Sequence, residues 1–268
     1  MFRHVDLQRC APPPELEGLV DWFWSVRWNL RMGFSHRQDV VSQPGVNVSV
    51  GVAPAAGPDP APGPFPLLCT VTGVSTAVST RMLSGRGWNL AAKSTTGGFG
   101  AWCDDVGALT DQVVPPTGLF AVDECAVEAA FGAGSLEAGA AVLGSALVRV
   151  LDSRPEARIR LARETAAVAR SAEGDHTIRR VEQLAATAGV TIRTLQRMFA
   201  TCAGVSPTWV IRRFRLIDAA ELVAGGQDVE WSAVSTELGY ADQAHLTRDF
   251  TSTLGISPAA YARAQRPT

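Results

Sequence analysis

The chain has 268 residues, a formal net charge of −2 and 46% hydrophobic residues, which suits two globular domains and excludes a disordered or collagen-like chain. Its longest run of small apolar residues, 138–148, is too short to cross a bilayer. The N-terminus lacks the apolar core of a signal peptide, so we expect a cytoplasmic protein that has no membrane partner.

The N-terminal half predicts a β-rich fold. Alternating valines at positions 46, 48, 50 and 52 are typical of a half-buried strand. Six prolines between residues 54 and 66 indicate a loop. A short helical segment is expected at 14–19, with extended chain after it. Further short strands are expected at 69–74, 78–83 and 88–94, with a turn at 85–87.

Tryptophans are concentrated in this half of the chain. Four of them are candidates for a ligand site, namely Trp22, Trp24, Trp88 and Trp102. Two interpretations remain open. The indole rings fill the core of the β-rich domain, or they line an apolar cavity for a small-molecule effector, since aromatic rings offer a large flat contact area.

Three helices are expected after the strands, at residues 122–131, 136–152 and 156–171. The second carries an apolar stripe at helical spacing. The stripe consists of Leu136, Ala140, Leu143, Leu147 and either Val150 or Leu151. This pattern indicates either the interface of a homodimer or packing against the protein's own β-rich domain.

The sequence argues against an enzyme. The N-terminal half contains only His4 and His36, which do not form the cluster of histidine and carboxylate ligands that a metal-bearing β-barrel needs. No nucleophile elbow or nucleotide-binding loop is present, so we expect no cofactor and no metal. The five cysteines are widely spaced and odd in number, which favours free thiols over disulfides.

The last third of the chain contains two helix-turn-helix units in tandem. Ala185 lies four positions before Gly189 in the first unit, and Ser235 lies four positions before Gly239 in the second. The small side chain allows two helices to approach closely, and the glycine allows the tight turn between them. A Gly-x-Ser-Pro phrase follows each unit, at 204–207 and 255–258, so the units repeat with an offset of about 51 residues.

The second helix of each unit has one apolar face, which leaves polar side chains on the other face. Arginine and glutamine there suit hydrogen bonds to base edges in the major groove of DNA. The expected DNA-reading residues are Thr191, Arg193, Thr194, Gln196 and Arg197 in the first unit and Gln243, Ala244, Thr247 and Arg248 in the second. We expect Asp242 to cap the second of these helices.

An amphipathic helix is expected between the two units. Ser206 and Pro207 predict its start, and Gly225 predicts its end. A helix of roughly 18 residues is about 27 Å long and sets two recognition helices about one turn of DNA apart. Its arginines, Arg212, Arg213 and Arg215, either contact phosphate or form a solvated face, and Arg212 and Arg213 are the phosphate candidates.

Residues from about 177 to 263 resemble the DNA-binding domain of the AraC/XylS family of bacterial transcriptional regulators. The matching phrases are LQRMF at 195–199, RLIDAAEL at 215–222, LGYADQ at 238–243 and GISPAAY at 255–261. The resemblance implies a sequence-specific regulator whose partner is double-stranded DNA, with RNA polymerase as a further partner if it is an activator. The N-terminal half resembles the cupin-like sensory domain of one AraC subgroup.

We therefore expect an α+β chain in three parts. These are a cupin-like regulatory or dimerisation domain at 1–152, a linker helix at 153–175 and an all-α DNA-binding domain at 176–268. A small molecule bound to the N-terminal domain is expected to control the regulator. Alternatively, that domain only dimerises or binds a protein partner.

Overall fold

The computed structural model describes residues 5–31, 33–40, 42–52, 66–77, 79–224, 230–255 and 257–265. Within them all strands precede the α-helices, which confirms a β-rich domain followed by a helical domain. The expected proline-rich loop, apart from Pro66, and the expected helix end at Gly225 lie outside the described residues. The strands are β1 (Val5–Cys10), β2 (Val20–Asn29), β3 (Ser35–Val40), β4 (Asn47–Val52), β5 (Leu67–Thr72), β6 (Ser79–Ser84), β7 (Arg86–Ser94) and β8 (Val113–Val114). The α-helices are α1 (Glu124–Ala133), α2 (Leu136–Leu151), α3 (Glu156–Gly174), α4 (Val181–Thr187), α5 (Ile192–Cys202), α6 (Pro207–Ala224), α7 (Trp231–Glu237), α8 (Gln243–Leu254) and α9 (Pro258–Gln265).

The strands form two sheets. Six antiparallel strands make the main sheet in the order β1-β2-β7-β4-β5-β8, and β3 pairs with β6 in a two-stranded sheet. Gly85, with a φ of 57°, makes the sharp change of direction between β6 and β7. The two sheets meet where Trp28 Nε1 donates a hydrogen bond to the carbonyl oxygen of Ser84 at 3.1 Å.

One face of the main sheet is covered by α1 and α2. The apolar stripe of α2, from Leu136 through Leu143 to Leu147, is buried in the same core as the sheet residues. Gly139 allows the close approach, because a Cβ there would lie 2.6 Å from Leu90 Cδ1. A stripe that is already buried is not available to a second chain. The expected homodimer contact through this stripe is therefore wrong.

Helix α3 packs on both domains. Ala162 belongs to the core of the N-terminal domain, whereas Ala169 belongs to the core around the first helix-turn-helix unit. Near the start of α3, Arg158 donates hydrogen bonds from Nε to the carbonyl oxygen of Gly100 at 2.7 Å and from a terminal nitrogen to that of Cys103. The segment expected to be a linker helix is thus a packed element that joins two cores.

Two apolar cores hold the C-terminal helices. The first joins α3, α4, α5 and α6 around Phe199 and Phe214, and the second joins α6, α7 and α8 around Leu246 and Phe250. Because α6 contributes to both cores, it is the rigid connection between them. In the part of the chain that the structure describes, no helix is both long and apolar enough to cross a membrane.

Candidate nucleic-acid interface

The turn between α4 and α5, in the first helix-turn-helix unit, follows from its sequence. Gly189 has a φ of 64°, in the left-handed region that favours glycine, and Val190 N donates to the carbonyl oxygen of Ala185 at 3.0 Å. Ala185 is buried, so its small side chain lies between the helices. Thr191 then caps α5, because its Oγ1 accepts a hydrogen bond from the backbone N of Thr194 at 3.1 Å.

The second unit, α7 and α8, repeats this construction. Gly239 has a φ of 78°, and Tyr240 N donates to the carbonyl oxygen of Ser235 at 2.8 Å. Asp242 caps α8 through Oδ1, which accepts from the backbone N of His245 at 2.6 Å. The capping role expected for Asp242 is confirmed. The two recognition helices, α5 and α8, therefore begin at equivalent positions that are capped by side chains.

Each recognition helix buries one side and exposes the other. Phe199 of α5 and Phe250 of α8 are buried at equivalent positions. Of the expected DNA-reading residues, the exposed ones are Thr191, Arg193, Gln196, Arg197, Gln243, Ala244 and Arg248, and the half-buried ones are Thr194 and Thr247. Arg197 and Arg248 thus occupy matching exposed positions on the two helices.

Of the two arginines expected to contact phosphate, only Arg212 is exposed. Arg213 is 2% exposed, its Nε donates to the carbonyl oxygen of Ser42 at 3.1 Å, and its guanidinium lies 5.6 Å from the ring centroid of Trp209. Burial lowers the pKa of Arg213 to about 10, against the opposing effect of the Asp111 carboxylate. The expected phosphate contact at Arg213 is therefore wrong, because this side chain joins α6 to the N-terminal domain.

Arg215, the third arginine of α6, is also buried, at 2% exposure. One terminal nitrogen lies 2.6 Å from His176 Nδ1 and 3.3 Å from Asp218 Oδ2, and the other donates to the carbonyl oxygen of Ala172. These contacts fix α6 against the end of α3. His176 could not be predicted as a partner of Arg215, because it lies 39 residues away in the chain and such a contact leaves no local pattern.

The second unit is also held against the first. The side chain of Arg179, which precedes α4, packs on Gly239, where an added Cβ would lie 2.3 Å from Arg179 Cδ. Gln183 fixes this segment, since its Oε1 accepts hydrogen bonds from the backbone N of Arg179 and of Arg180, both at 3.0 Å. Together with buried Arg215, this contact sets the separation and the angle of the two recognition helices.

Asp249 adds a negative charge to α8, and a neighbouring phenol is bonded to it. Tyr240 Oη donates a hydrogen bond to Asp249 Oδ2 at 3.0 Å. Burial raises the pKa of Tyr240, and the charge of Asp249 raises it further, so the phenol keeps the proton that it donates. The charge of Arg212 opposes this shift, which places the exposed Arg212 beside the second unit.

The four tryptophans expected to line an effector cavity do not converge on one pocket. Trp22 and Trp24 are half-buried on one face of β2. Trp88 lies on the opposite face of the sheet and packs on Phe131 of α1, with ring centroids 5.1 Å apart. Trp102 is buried in the segment after β7, where its Nε1 donates to a carbonyl oxygen of α2 at 3.0 Å. Of the expected set, only Trp22 and Trp24 share a face of the sheet, and their part in ligand binding stays a prediction.

The face of the main sheet that carries Trp24 is covered and polar. Strand register places Trp24, Ala91 and Ser49 side by side across β2, β7 and β4, and both Ala91 and Ser49 are buried. Ser49 Oγ and Asn89 Nδ2 have no hydrogen-bond partner among the described residues. Asn47 Oδ1 accepts a hydrogen bond from Trp24 Nε1 at 3.0 Å. This face of the sheet therefore carries buried polar atoms that have no hydrogen-bond partner among the described residues.

Comparisons with known proteins follow the same division of the chain. A family model described as a helix-turn-helix domain matches residues 184–264, and one described as a domain of unknown function (DUF6597) matches residues 8–115. A comparison with curated proteins finds no match.

Solved structures similar to this chain include proteins of three bacteria. The C-terminal domain of AraT, a response regulator from Geobacillus stearothermophilus, is 22% identical over 41% of this chain and 91% of that chain, with a TM-score of 0.37. A probable AraC family transcriptional regulator from Rhodopseudomonas palustris is 25% identical over 39% of this chain and 98% of that chain, with a TM-score of 0.35. ToxT from Vibrio cholerae is 10% identical over 97% of both chains, with a TM-score of 0.43.

The fold and the exposed recognition helices define a class, namely DNA-binding proteins that carry two helix-turn-helix units in one chain behind a β-rich domain. Within this class, residues 184–264 match a helix-turn-helix family model, which supports a DNA-binding regulator.

Proposed function

We propose that this regulator binds an asymmetric DNA site made of two dissimilar boxes, and that a small polar molecule bound by its N-terminal domain controls this binding. The observation that carries the proposal is the pair of capped recognition helices, which expose different polar residues from one rigid helical domain. Helix α5 exposes Arg193, Gln196 and Arg197, whereas α8 exposes Gln243 and Arg248. Because the side chains differ, the two helices prefer different bases.

Arg212 supports a phosphate contact between the two boxes. It is exposed on the helix that joins the units and lies near enough to Tyr240 for its charge to oppose the rise in the pKa of that phenol. A phosphate contact carries no sequence information, so Arg212 strengthens binding to any DNA and fixes the orientation of the protein on it. If the protein activates transcription, RNA polymerase is a second partner.

The covered face of the main sheet supports control by a small polar molecule. Ser49 supplies a buried hydroxyl and Asn89 a buried amide, both without a partner among the described residues. A ligand oxygen that bonds to these atoms recovers hydrogen bonds whose absence is costly in a buried site. Trp24 adds an indole ring for packing against the apolar part of the ligand.

Charged side chains connect this face to α3. Lys93 lies 4.4 Å from the ring centroid of Trp22, and its Nζ is 2.6 Å from Asp21 Oδ2. Asp21 Oδ1 is in turn 3.7 Å from the guanidinium of Arg170 in α3. A ligand that displaces Trp22 or Lys93 changes a contact with the helix that joins the two cores. Regulation requires that the ligand bind one arrangement of the domains more tightly than another.

Selection of bound fragments from random DNA by the full-length protein tests the first part of the proposal. We expect two enriched boxes of different sequence, centred about one helical turn apart. A footprint on the selected DNA should protect both boxes. Selection that enriches no sequence, or a single box, contradicts the proposal.

A thermal-shift screen of small polar molecules against the full-length protein tests the second part. An effector should raise the unfolding temperature of the wild type and of Ser145→Ala, which removes an exposed hydroxyl from α2. The double variant Ser49→Ala, Asn89→Ala should lose this response. A response that survives in the double variant contradicts the assignment to the covered face. The alternative is an N-terminal domain that only dimerises or binds a protein partner. It is favoured if no molecule in the screen raises the unfolding temperature and light scattering shows a stable dimer or a complex with a protein partner.

A further inference from the structure

Ile192, at the start of the first recognition helix α5, is an apolar side chain that is exposed among polar ones. It is 38% exposed, whereas the other large apolar side chains of the helical domain whose burial the structure describes are buried or half-buried. A single exposed isoleucine is common on protein surfaces. Its position on α5 and the chemistry around it therefore carry the argument.

The position is one that enters the major groove. Ile192 is the first residue of α5 and directly follows the cap residue Thr191. In a helix-turn-helix unit, the first residues of the recognition helix contact the edges of the bases. Side chains on a helix tilt toward its N-terminus, so Ile192 projects from the end of α5 that lies deepest in the groove. Gln196, one of the expected DNA-reading residues, lies one turn further along the same face.

The chemistry at this end of α5 is apolar. The hydroxyl groups of Thr191 and Thr194 are 3.0 Å apart, and Thr191 Oγ1 also accepts the hydrogen bond that caps the helix. The side chain of Ile192 has neither a donor nor an acceptor, so its contact with a base must be apolar. Among the base edges of the major groove, thymine presents such a group, its 5-methyl group.

We propose that Ile192 determines specificity by packing on the 5-methyl group of a thymine in the box bound by α5. This inference rests on the proposed DNA-binding function and assigns one base of the first box. Gln243 occupies the equivalent place in the second unit, as the first residue of α8 after the cap residue Asp242. Glutamine suits a pair of hydrogen bonds to adenine. The equivalent position is therefore thymine in one box and adenine in the other.

Replacement of single thymines by deoxyuridine tests the contact, because uracil differs from thymine only in lacking the 5-methyl group. The full-length protein is titrated with its selected DNA, in which each thymine is replaced in turn. We expect a thymine, in the box weakened by Arg197→Ala, whose replacement weakens wild-type binding about fourfold, the factor for one buried methyl group. The same replacement should have no effect on Ile192→Ala. Unchanged wild-type binding with every uracil, or an equal loss in Ile192→Ala, overturns the proposal.

Leu7→Ala is the matched control for the loss of an exposed apolar side chain. Leu7 is 48% exposed on β1, in the N-terminal domain. The variant should keep the fourfold loss with uracil, and a missing loss would overturn the assignment to Ile192. Because the uracil replacement changes the DNA alone, the wild-type measurement does not depend on how any variant folds.

Exchange of the residue between the two recognition helices tests specificity directly. Ile192→Gln gives α5 the residue that α8 has at the equivalent position. In a selection from random DNA, the preferred base at this position of the first box should change from thymine to adenine, by roughly fivefold or more. The second box should stay the same. An unchanged preference for thymine overturns the proposal.

Cytosine methylation gives an independent readout, since 5-methylcytosine carries its methyl group at the same place in the major groove as thymine. With cytosine at the assigned position, methylation should tighten wild-type binding about fourfold and leave Ile192→Ala unchanged. A wild type that does not respond to methylation overturns the proposal. A selection that yields no pair of boxes contradicts the proposed function instead, whereas two boxes without a methyl-sensitive position contradict this inference alone.

Discussion

Gly100 of the N-terminal domain lies directly against Cys202 at the end of the first recognition helix, where an added Cβ would be 2.7 Å from Cys202 Sγ. Cys202 is buried and belongs to the core of the N-terminal domain. Two residues further along the chain, Gly204 accepts a hydrogen bond at its carbonyl oxygen from Thr110 Oγ1 at 3.2 Å. The end of α5 is therefore built into the N-terminal domain, so the docking of the two domains sets the orientation of this helix.

Substitution Gly100→Ala should loosen this docking, because the new methyl group has no space unless α5 moves. Burial raises the pKa of the Cys202 thiol and keeps it in its unreactive protonated form. We expect Cys202 to be alkylated faster in Gly100→Ala than in the wild type, as measured by mass spectrometry well below the unfolding temperature. Gly132→Ala is the control, since open space surrounds Gly132. Equal labelling of Cys202 in the two variants would argue that the domains do not depend on this contact.

The neighbouring Arg212 and Arg213 should separate DNA binding from stability. Arg212→Met should weaken binding to every DNA sequence and reduce the salt dependence by about one unit, because one phosphate contact is lost. Its unfolding temperature should not change. Arg213→Met should leave the salt dependence intact, since the guanidinium of Arg213 is buried. Binding curves at several salt concentrations check both variants, and a reduced slope in Arg213→Met would contradict the assignment.

Arg213→Met should also raise the unfolding temperature at pH 7. The native pKa of Arg213, about 10, lies below that of an arginine in the unfolded chain. The unfolded protein therefore binds this proton more tightly than the native protein does. The buried charge lowers the free energy of unfolding by its full amount at neutral pH, and this loss is relieved only above about pH 10. Methionine removes that cost, and each kcal/mol gained raises the unfolding temperature by about 2–4 °C in a chain of this size. A lower unfolding temperature would show that the contact with Ser42 outweighs the cost of burial.

Cys69 should make stability depend on pH in alkaline solution. It is buried in β5, where burial raises its pKa to about 12 and the charge of Glu124 adds to the effect. In the unfolded chain a thiol ionises near pH 8.5. The stabilisation is fully present below that pH and is lost as pH rises toward 12, by up to about 1.4 kcal/mol per pH unit. Guanidinium chloride unfolding of the reduced protein from pH 7.5 to 10.5 should show this slope in the wild type and a shallower one in Cys69→Val. Parallel slopes would contradict the prediction.

Local signals in the sequence predict much of the helical domain and part of the sheet. Gly189 and Gly239 mark the two turns because the turn requires a positive φ, and Asp242 is recognisable as a cap from its position before an apolar periodic run. The alternating valines predict β4 because residues two apart in a strand share a face. By contrast, β3 has a single apolar residue in its sequence, SHRQDV, so no periodic pattern predicts it.

Contacts between residues that are distant in the chain determine which side chains are buried, and local sequence patterns do not show these contacts. Arg213 and Arg215 carry the same charge as Arg212 and lie on the same helix, but the residues that hold them, Ser42 and His176, are 171 and 39 positions away in the chain. The apolar stripe of α2 likewise has the same spacing whether it faces its own sheet or a second chain. Helical periodicity shows that a face is apolar and leaves open what covers it.

Substitutions in the two recognition helices should each weaken the recognition of a different DNA box. Arg197→Ala should cost roughly 1–3 kcal/mol in binding to the selected DNA if Arg197 contacts a base, and it should relax sequence preference in one box only. Arg248→Ala should have the same effect in the other box. Arg149→Ala is the control for loss of one positive charge, because Arg149 is exposed on α2, outside the helical domain.

The additivity of the binding losses shows whether both helix-turn-helix units contact bases or only the first one does. The two units have separate apolar cores, and their arginines share no contact in the structure, so the losses in binding energy should add in the double variant Arg197→Ala, Arg248→Ala. Footprints and binding curves for the single and double variants measure this. A second box whose protection is unchanged by Arg248→Ala, with the double variant no weaker than Arg197→Ala alone, would show that the second unit supports the first without reading bases.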